Sequence, residues 1–230
     1  MSIPEQLSEI ITRIHAAEKR ANRPEGSVQL VAVSKTFPHT DVQTCFDAGQ
    51  RVFGENKVQE AMTKIPLLTK EIEWHLIGPL QRNKVRKALE RFSLIHAVDS
   101  VRLALFIDTV AAELNIKPRI LLEVNVGDEN SKFGFSTDEI TEQWSQLNAL
   151  QHVDIAGLMC IPPPVENPED ARPYFKKLRE LRDTFKTQST THSLTELSMG
   201  MSHDFEIAIE EGATLVRVGT AIFGGRTYAI

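Results

Sequence analysis

The stretch from Val28 to Gly54 reads VQLVAVSKTFPHTDVQTCFDAGQRVFG and contains one complete structural unit. Residues 28–34 are an apolar run rich in Val, residues 39–49 fit a helix, and residues 51–54 begin a second apolar run. Short, nearly continuous apolar runs are typical of parallel strands that are buried on both faces. The stretch therefore predicts a strand, a crossover helix and a second strand parallel to the first.

The same unit recurs along the rest of the chain. The predicted strands are 28–34, 51–54, 73–77, 94–98, 119–126, 153–159, 194–198 and 214–218, and the predicted helices are 39–49, 56–65, 82–92, 100–115, 137–150, 168–188 and 202–212. A further amphipathic helix is predicted over residues 4–22. We therefore expect an α/β fold, a single (β/α)8 TIM barrel with an extra N-terminal helix, as one domain over residues 1–230. An open doubly wound sheet is the alternative.

Composition excludes several classes of protein. The chain of 230 residues is 41% hydrophobic and 25% charged, as is typical of a soluble globular protein. A formal net charge of −5 argues against a nucleic-acid-binding protein. The apolar runs are too short for a membrane span, and charged residues interrupt the N-terminal segment where a signal peptide would be apolar. We expect a cytoplasmic protein that binds neither nucleic acid nor membrane, with Cys45 and Cys160 as reduced core thiols.

Other common binding motifs are missing from the sequence. The seven histidines include no His-x-x-x-His pair, so a metal site is not supported, and His75 and His96 are interpreted as core or supporting residues. Neither a Gly-x-Gly-x-x-Gly nor a Walker motif occurs, so nucleotide binding lacks its usual signals. The basic residues within 82–91 are interpreted as a solvated helix face, with recruitment of an acidic partner as the alternative.

Lys35 is the first candidate for chemistry. It follows the first predicted strand, and the active sites of TIM barrels lie at the carboxyl ends of their strands. A lysine among apolar walls loses charge stabilisation, so its amine can attack a carbonyl and form a Schiff base. The alternative is a lysine that ends a strand and reaches solvent.

Two loops near the C-terminus indicate an anion site. The segment LSMGMS, ending at Ser202, precedes a predicted helix, and Gly219 and Thr220 follow the eighth predicted strand. Helix N-termini and the loops after the seventh and eighth strands of a barrel frequently bind phosphate. The alternative for Ser202 is a simple helix cap.

Arg217 lies inside the eighth predicted strand. If its side chain points into the barrel, Val216 and Val218 point outward, because side chains alternate along a strand. A buried arginine needs an acceptor, which a ring nitrogen or an anion would supply. The alternative is a structural ion pair with Glu123 or Glu196. An amine, an arginine and a phosphate site together fit pyridoxal 5′-phosphate (PLP), which carries an aldehyde, a ring nitrogen and a phosphate.

These residues lie within motifs that resemble the pyridoxal phosphate homeostasis protein family. The matching segments are VAVSKT, FGENKVQE, WHLIGPLQRNK, DENSKFG, GLMCIPP, LSMGMSHDFEIAIEEG and VRVGTAIFGGR, and they extend over residues 28–228. The resemblance implies a barrel related to the N-terminal domain of alanine racemase. It also implies that Lys35 carries the cofactor as an aldimine and that Arg217 bonds the pyridine nitrogen. The residues that it implies around the phosphate are Ser198, Met201, Ser202, Gly219 and Thr220, and those beside the ring are Asn56 and Met159.

The resemblance further implies a PLP carrier without robust catalysis, which buffers the cofactor and delivers it to PLP-dependent apoenzymes. The alternative is a PLP-dependent amino-acid racemase, which needs acid–base groups on both faces of its substrate. Lys35 could serve one face, but neither Tyr174 nor Tyr228 is placed to serve the other. A Schiff-base aldolase acting on a sugar phosphate is a third hypothesis. A monomer is expected, because the domain through which the racemases dimerise has no counterpart.

Overall fold

The computed structural model describes residues 1–127 and 133–225. Its strands form a closed parallel barrel in which each strand pairs with its sequence neighbours and the last strand pairs with the first. The strands are β1 (Gln29–Val33), β2 (Val52–Glu55), β3 (Glu73–Leu76), β4 (Leu94–Val98), β5 (Arg119–Glu123), β6 (Asp154–Met159), β7 (Glu196–Ser198) and β8 (Leu215–Val218). All eight predicted strands are present, so the TIM barrel is confirmed and the open sheet is excluded.

The helices surround this barrel. They are α1 (Ile3–Arg20), α2 (His39–Asp47), α3 (Val58–Lys64), α4 (Val85–Leu89), α5 (Val101–Leu114), α6 (Thr137–Glu142), α7 (Trp144–Asn148), α8 (Arg172–Gln188), α9 (Phe205–Glu210) and α10 (Thr220–Phe223). Short 3-10 turns occupy Ile65–Leu67, Arg82–Lys84 and Pro168–Ala171. None of the helices in the described ranges is long and apolar enough to cross a membrane.

Strand alternation separates two apolar cores. Inside the barrel, Val31, Val52 and Leu121 belong to a small cluster, whereas the outward-facing residues pack under the helices in a much larger one. Val216 and Val218 belong to the outer cluster, and Arg217 lies between them on the inner face. The alternation predicted for β8 is therefore present.

The N-terminal helix α1 closes the outer layer between the first and last units. It buries Leu7, Ile10, Ile14 and Ala17 at helical spacing and packs against α2, α9 and α10. Because α10 has only four residues, α1 covers much of the outer surface near the junction of β8 and β1. The additional helix predicted from the sequence is thus an integral part of the barrel wall.

Several predicted helices differ from those observed. The helix predicted over 137–150 is divided into α6 and α7, and the one predicted over 82–92 begins as a 3-10 turn. The helix predicted from residue 202 begins at Phe205, and Asp204 occupies the position before it. The simple helix cap considered as the alternative for Ser202 is therefore not what the structure contains. Of the DENSKFG motif, residues 128–132 lie outside the described residues, as does Tyr228.

Candidate functional site

A cavity of about 290 Å³ opens at the carboxyl ends of β1 and β8. This volume is near the lower end of small-molecule pockets, which measure about 300–1,000 Å³. The residues that line it are Val33, Lys35, Ile77, Ile161, Met201, Ser202, His203, Arg217, Gly219 and Thr220. The structure thus brings together Lys35, Arg217 and both loops predicted to bind an anion.

Lys35 lies on the wall of this cavity and is half-buried. Thr36 follows it with a φ of +70°, a conformation that non-glycine residues seldom adopt. The backbone N–H of Thr36 donates a hydrogen bond of 2.5 Å to Glu60 Oε1, which ties the turn to α3. The chain therefore leaves β1 through a turn that is anchored directly after Lys35.

A buried ionic cluster anchors the same turn just before Lys35. Lys64 Nζ donates hydrogen bonds to the Ser34 carbonyl oxygen at 2.8 Å, to Glu55 Oε1 at 2.8 Å and to Glu60 Oε1 at 2.7 Å. Ser34 Oγ also donates to Glu55 Oε1, at 2.7 Å. Burial raises the pKa of Glu55, although the hydrogen bonds from Lys64 and Ser34 oppose that shift. These contacts hold the backbone on both sides of Lys35 from behind the barrel wall.

The loop after β7 presents backbone N–H groups to the cavity. Gly200 has a φ of +91°, and a side chain there would place its Cβ 2.6 Å from the Cβ of Ala208. The backbone N–H of Met201 donates to Asp204 Oδ1 at 2.7 Å. The N–H groups of Ser202 and His203 donate no hydrogen bond within the part of the chain that the structure describes. The loop therefore offers two adjacent donors to an anion.

The loop after β8 faces the same space. Gly219 lies against β1, so that a Cβ at this position would be 3.1 Å from the carbonyl oxygen of Val33. Thr220 is exposed and begins α10, and the first N–H groups of a helix have no partner within that helix. Together the two loops form a donor-rich border on one side of the cavity.

Arg217 reaches the cavity from below, and its side chain is almost completely buried. Its Nη1 donates to Ser198 Oγ, and its Nη2 donates to the Cys160 carbonyl oxygen at 2.8 Å. Burial lowers the pKa of Arg217, but a guanidinium group stays protonated in proteins. Its hydrogen bonds to protein atoms thus go to neutral acceptors, and it has further N–H donors to offer a ligand.

Among the described residues, Arg217 forms neither of the ion pairs considered from the sequence, with Glu123 or with Glu196. Glu196 pairs instead with Arg119, whose Nη2 lies 2.8 Å from Glu196 Oε1. Glu123 acts on Arg217 through its charge, and burial raises the pKa of this carboxyl group to about 7. Glu123 is therefore a buried carboxyl group close enough to Arg217 for its charge to act on the guanidinium.

Three predicted site residues lie outside the cavity lining. Ser198 is completely buried below Arg217, and His96 as well as Arg217 contacts its hydroxyl group. Met159 belongs to the apolar cluster inside the barrel. Asn56 is half-buried and lies against Gly78, beyond the ends of β2 and β3.

The sequence reasoning missed other members of the site. Val33 and Ile77 supply an apolar wall, and Ile161 and His203 complete the border. The alternation along β1 and β3 could have found Val33 and Ile77, since they share a face with Val31 and His75. The ionic cluster behind Lys35 had no comparable signal, because Glu55 and Lys64 meet only through the packing of α3 on β2.

These groups fit a small molecule that carries a carbonyl group, a hydrogen-bond-accepting ring atom and an anion. Lys35 provides the amine, Arg217 a buried donor, and the two loops provide hydrogen-bond donors for the anion. Among residues 1–127 and 133–225, no cluster of three or more His, Cys, Asp or Glu side chains is arranged to hold a metal ion. PLP has all three of the required groups.

Comparisons with known proteins agree with this chemistry. Residues 6–227 match the family described as "Alanine racemase, N-terminal domain". A "Pyridoxal phosphate homeostasis protein" of Aquifex aeolicus is 46% identical over 99% of this chain and 100% of its own, and its namesake in Escherichia coli K12 is 40% identical over 99% and 98%. A solved structure of PipY from Synechococcus elongatus, "with PLP bound", is 40% identical, covers 97% of this chain and 100% of its own, and superposes with a TM-score of 0.84.

Proposed function

This chain belongs to the pyridoxal phosphate homeostasis protein family, and from that membership we propose that it binds PLP in the barrel mouth and holds it in reserve for other proteins. The observation that carries the proposal is the shared cavity of Lys35, Arg217 and the loops after β7 and β8. PLP-binding relatives with this fold support it, as does the PipY structure described with PLP bound.

We assign covalent attachment of the cofactor to Lys35. Lys35 Nζ would hold the cofactor through its aldehyde, and bound PLP would supply that reactive carbonyl group. Val33 and Ile77 line the same cavity, so apolar side chains border the space that Lys35 would share with the cofactor. The anchored turn at Thr36 limits the positions that the Lys35 backbone can adopt.

Arg217 is assigned to the ring nitrogen of the cofactor, and the two loops to its phosphate. Bound PLP supplies an electron-accepting ring, but a partner that only donates leaves the ring nitrogen without a proton. Arg217 would therefore make the ring a weaker electron acceptor than a carboxylate would. Such an arrangement suits storage of the aldehyde better than chemistry on amino acids.

A racemase would need a second acid–base group opposite Lys35. Tyr174 lies in α8 and packs against the outer core, away from the cavity. Among the residues that the structure describes, the titratable side chains that line the cavity beside Lys35 are Arg217 and His203. His203 belongs to the loop after β7, and its Nε2 lies 3.2 Å from the Glu166 carbonyl oxygen. This placement supports a carrier rather than a racemase.

An absorbance titration of the apoprotein with PLP tests the proposal. A saturable band near the visible range, with one PLP bound per chain, is the expected outcome. In parallel, the loaded protein is assayed for racemisation of L-alanine and other amino acids. Turnover above about 1 s⁻¹, which is an ordinary enzymatic rate, would contradict the carrier function. A colourless protein that cleaves sugar phosphates would favour the aldolase instead.

We further propose that residues 1–230 act as one PLP-binding domain, as a monomer in the cytoplasm, and that PLP passes from it to PLP-dependent apoenzymes. Closure of the barrel supports the monomer, since the sheet has no free edge that could pair with a second copy. Cys45 and Cys160 are buried and not in disulfides, which suits a reducing compartment. Light scattering of the purified protein, with and without PLP, measures the oligomeric state.

A further inference from the structure

A line of polar side chains crosses the interior of the barrel and ends at Arg217. Glu73 Oε1 lies 3.1 Å from His75 Nε2, and His75 Nδ1 lies 3.0 Å from His96 Nε2. His96 Nδ1 in turn lies 2.8 Å from Ser198 Oγ, which accepts the hydrogen bond from Arg217. We call Glu73, His75, His96 and Ser198 the relay.

The relay joins the two ends of the barrel. Glu73 is the first residue of β3, so it lies at the end of the barrel opposite the cavity, and its side chain is partly exposed. His75, His96 and Ser198 are buried almost completely in the interior, where polar groups are costly unless they are hydrogen-bonded. The relay is therefore a hydrogen-bonded path of polar groups through the barrel interior.

Only one arrangement of hydrogens satisfies every bond of the relay with both rings neutral. Arg217 can only donate, so Ser198 Oγ accepts from it and gives its own hydrogen to His96 Nδ1. His96 then carries its hydrogen on Nε2 and donates to His75 Nδ1. His75 likewise carries its hydrogen on Nε2 and donates to the Glu73 carboxylate, which can only accept.

The opposite arrangement leaves groups without partners. If His96 carried its hydrogen on Nδ1, both His96 and Arg217 would donate to Ser198 Oγ. The Ser198 hydroxyl hydrogen would then lack an acceptor among the described residues. His75 would present a lone pair to the Glu73 carboxylate unless it carried a second proton. All hydrogen bonds of the relay therefore run in one direction, from Arg217 to Glu73.

The charges around the relay favour this arrangement. Burial lowers the pKa of His96 well below its ordinary value, and the positive charges of Arg217 and Arg119 act in the same direction. At the far end, the hydrogen bond with His75 lowers the pKa of Glu73 to about 2. His96 is thus kept neutral and Glu73 is kept ionised, as the hydrogen assignment requires.

Other charged groups near the rings are paired among themselves. Arg119 on β5 pairs with Glu196 on β7 at 2.8 Å and approaches Asp154 on β6 at 4.0 Å. Glu73 also accepts a hydrogen bond of 2.9 Å from Ser93 Oγ, just before β4. Arg217 on β8 contacts Ser198 directly, so the relay meets the cavity through this residue.

We propose that Glu73, His75, His96 and Ser198 are positioning residues of the PLP site: they hold the Arg217 guanidinium toward the cofactor ring through a one-directional chain of hydrogen bonds. The proposal rests on the function assigned above. It makes cofactor binding depend on residues at the opposite end of the barrel, which touch neither Lys35 nor the phosphate-side loops.

The first test is nitrogen NMR on the whole protein with ¹⁵N-labelled histidine, before and after PLP is added. The nitrogen shifts report which ring atom carries the hydrogen. We expect His75 and His96 to be neutral with the hydrogen on Nε2 in both samples. A hydrogen on Nδ1 of either ring, or a doubly protonated ring near neutral pH, would overturn the relay. Measurement on the apoprotein does not depend on PLP binding.

The second test compares the affinities of variants for PLP. His96→Phe breaks two bonds of the relay, and we expect its Kd for PLP to rise about tenfold, as for loss of hydrogen bonds that orient a charged group. Gln50→Met is the matched control, because buried Gln50 donates to the carbonyl oxygens of Leu30 and Val52 outside the relay. If both variants bind PLP equally well at equal thermal stability, the relay has no positioning function.

Glu73 keeps the proposal testable if His96→Phe does not fold. Its side chain is partly exposed, so Glu73→Ala is expected to fold and to raise the Kd about threefold, while Glu73→Gln, which retains an acceptor oxygen, restores the affinity. Unchanged affinity in Glu73→Ala would contradict the proposal. If wild-type protein binds no PLP, the proposed function fails, whereas the NMR experiment still decides whether the relay exists.

Discussion

Lys64 Nζ lies 2.8 Å from the carbonyl oxygen of Ser34, the residue that precedes Lys35. The same ammonium group is the partner of the completely buried Glu55 carboxylate. One buried side chain therefore pairs with a carboxylate and holds the backbone that directly precedes Lys35.

Removal of this ammonium group by Lys64→Met should destabilise the protein by about 3–5 kcal/mol at neutral pH, because Glu55 is left buried without a cation. The loss should shrink in acid, where Glu55 becomes protonated. Urea unfolding of the apoprotein at several pH values measures both effects. Lys176→Met is the control, since its pair with Glu180 is exposed, with 3.8 Å between the charged atoms, and such pairs contribute about 0.3–0.5 kcal/mol. An equal decrease in the free energy of unfolding in the two variants would show that the buried ion pair stabilises the protein no more than the exposed one.

Arg217→Gln should weaken PLP binding about 10- to 100-fold, because a hydrogen bond from a charged donor is lost at the ring. Equilibrium dialysis with PLP gives the Kd. Arg182→Gln is a matched control, because Arg182 is a mostly buried arginine that donates to the Thr195 carbonyl oxygen from α8, outside the cavity. An Arg217→Gln protein with wild-type affinity would remove Arg217 from the site.

Thr220→Trp should reduce affinity for PLP much more than affinity for pyridoxal, which lacks the phosphate. The bulky ring would occupy the border formed by the loop after β8, where Thr220 is exposed at the cavity. Parallel titrations with the two compounds separate phosphate contacts from contacts to the ring. Thr187→Trp, near the end of α8, should change neither affinity. An equal loss for both compounds would place the phosphate elsewhere.

Glu123→Gln should make the apoprotein more stable than wild type at pH 8. Burial raises the pKa of Glu123 to about 7 in the folded protein, above the ordinary glutamate pKa of 4.5. The folded protein therefore holds this proton more tightly, and the associated stability is lost as pH rises from 4.5 through 7. The difference between variant and wild type should grow by about 2–4 kcal/mol over that range. Glu142→Gln, which is exposed on α6, is the control. A difference that stays constant with pH would contradict the assigned titration.

The barrel was predictable because buried parallel strands produce apolar runs that stand out between helices. The alternation along β8 meant that an inward Arg217 requires an outward Val216 and Val218, and the structure has this arrangement. Helix ends were less predictable, because Ser and Asp are both favoured at the position before a helix. The residue types alone do not decide between Ser202 and Asp204, and the structure has Asp204 at that position.

The structure places predicted site residues in the cavity where position along a strand determines the environment. Lys35 and Thr220 follow strands β1 and β8 and therefore reach the same cavity. Ser198 ends its strand too, but its hydroxyl group contacts His96 and Arg217 instead of lining the cavity. One of these partners, His96, is 102 residues away along the chain, so no local pattern reports this placement.

Covalent attachment of PLP to Lys35 is tested by identifying the lysine that carries the cofactor. The PLP-loaded protein is reduced with borohydride, digested, and searched by mass spectrometry for the modified lysine. We expect the absorbance band to bleach and the reduced adduct to lie on Lys35. The Lys35→Ala protein should form no stable band, whereas Lys57→Ala, which alters an exposed lysine outside the cavity, should leave the band unchanged. An adduct confined to another lysine, or a band that survives in Lys35→Ala, would contradict it.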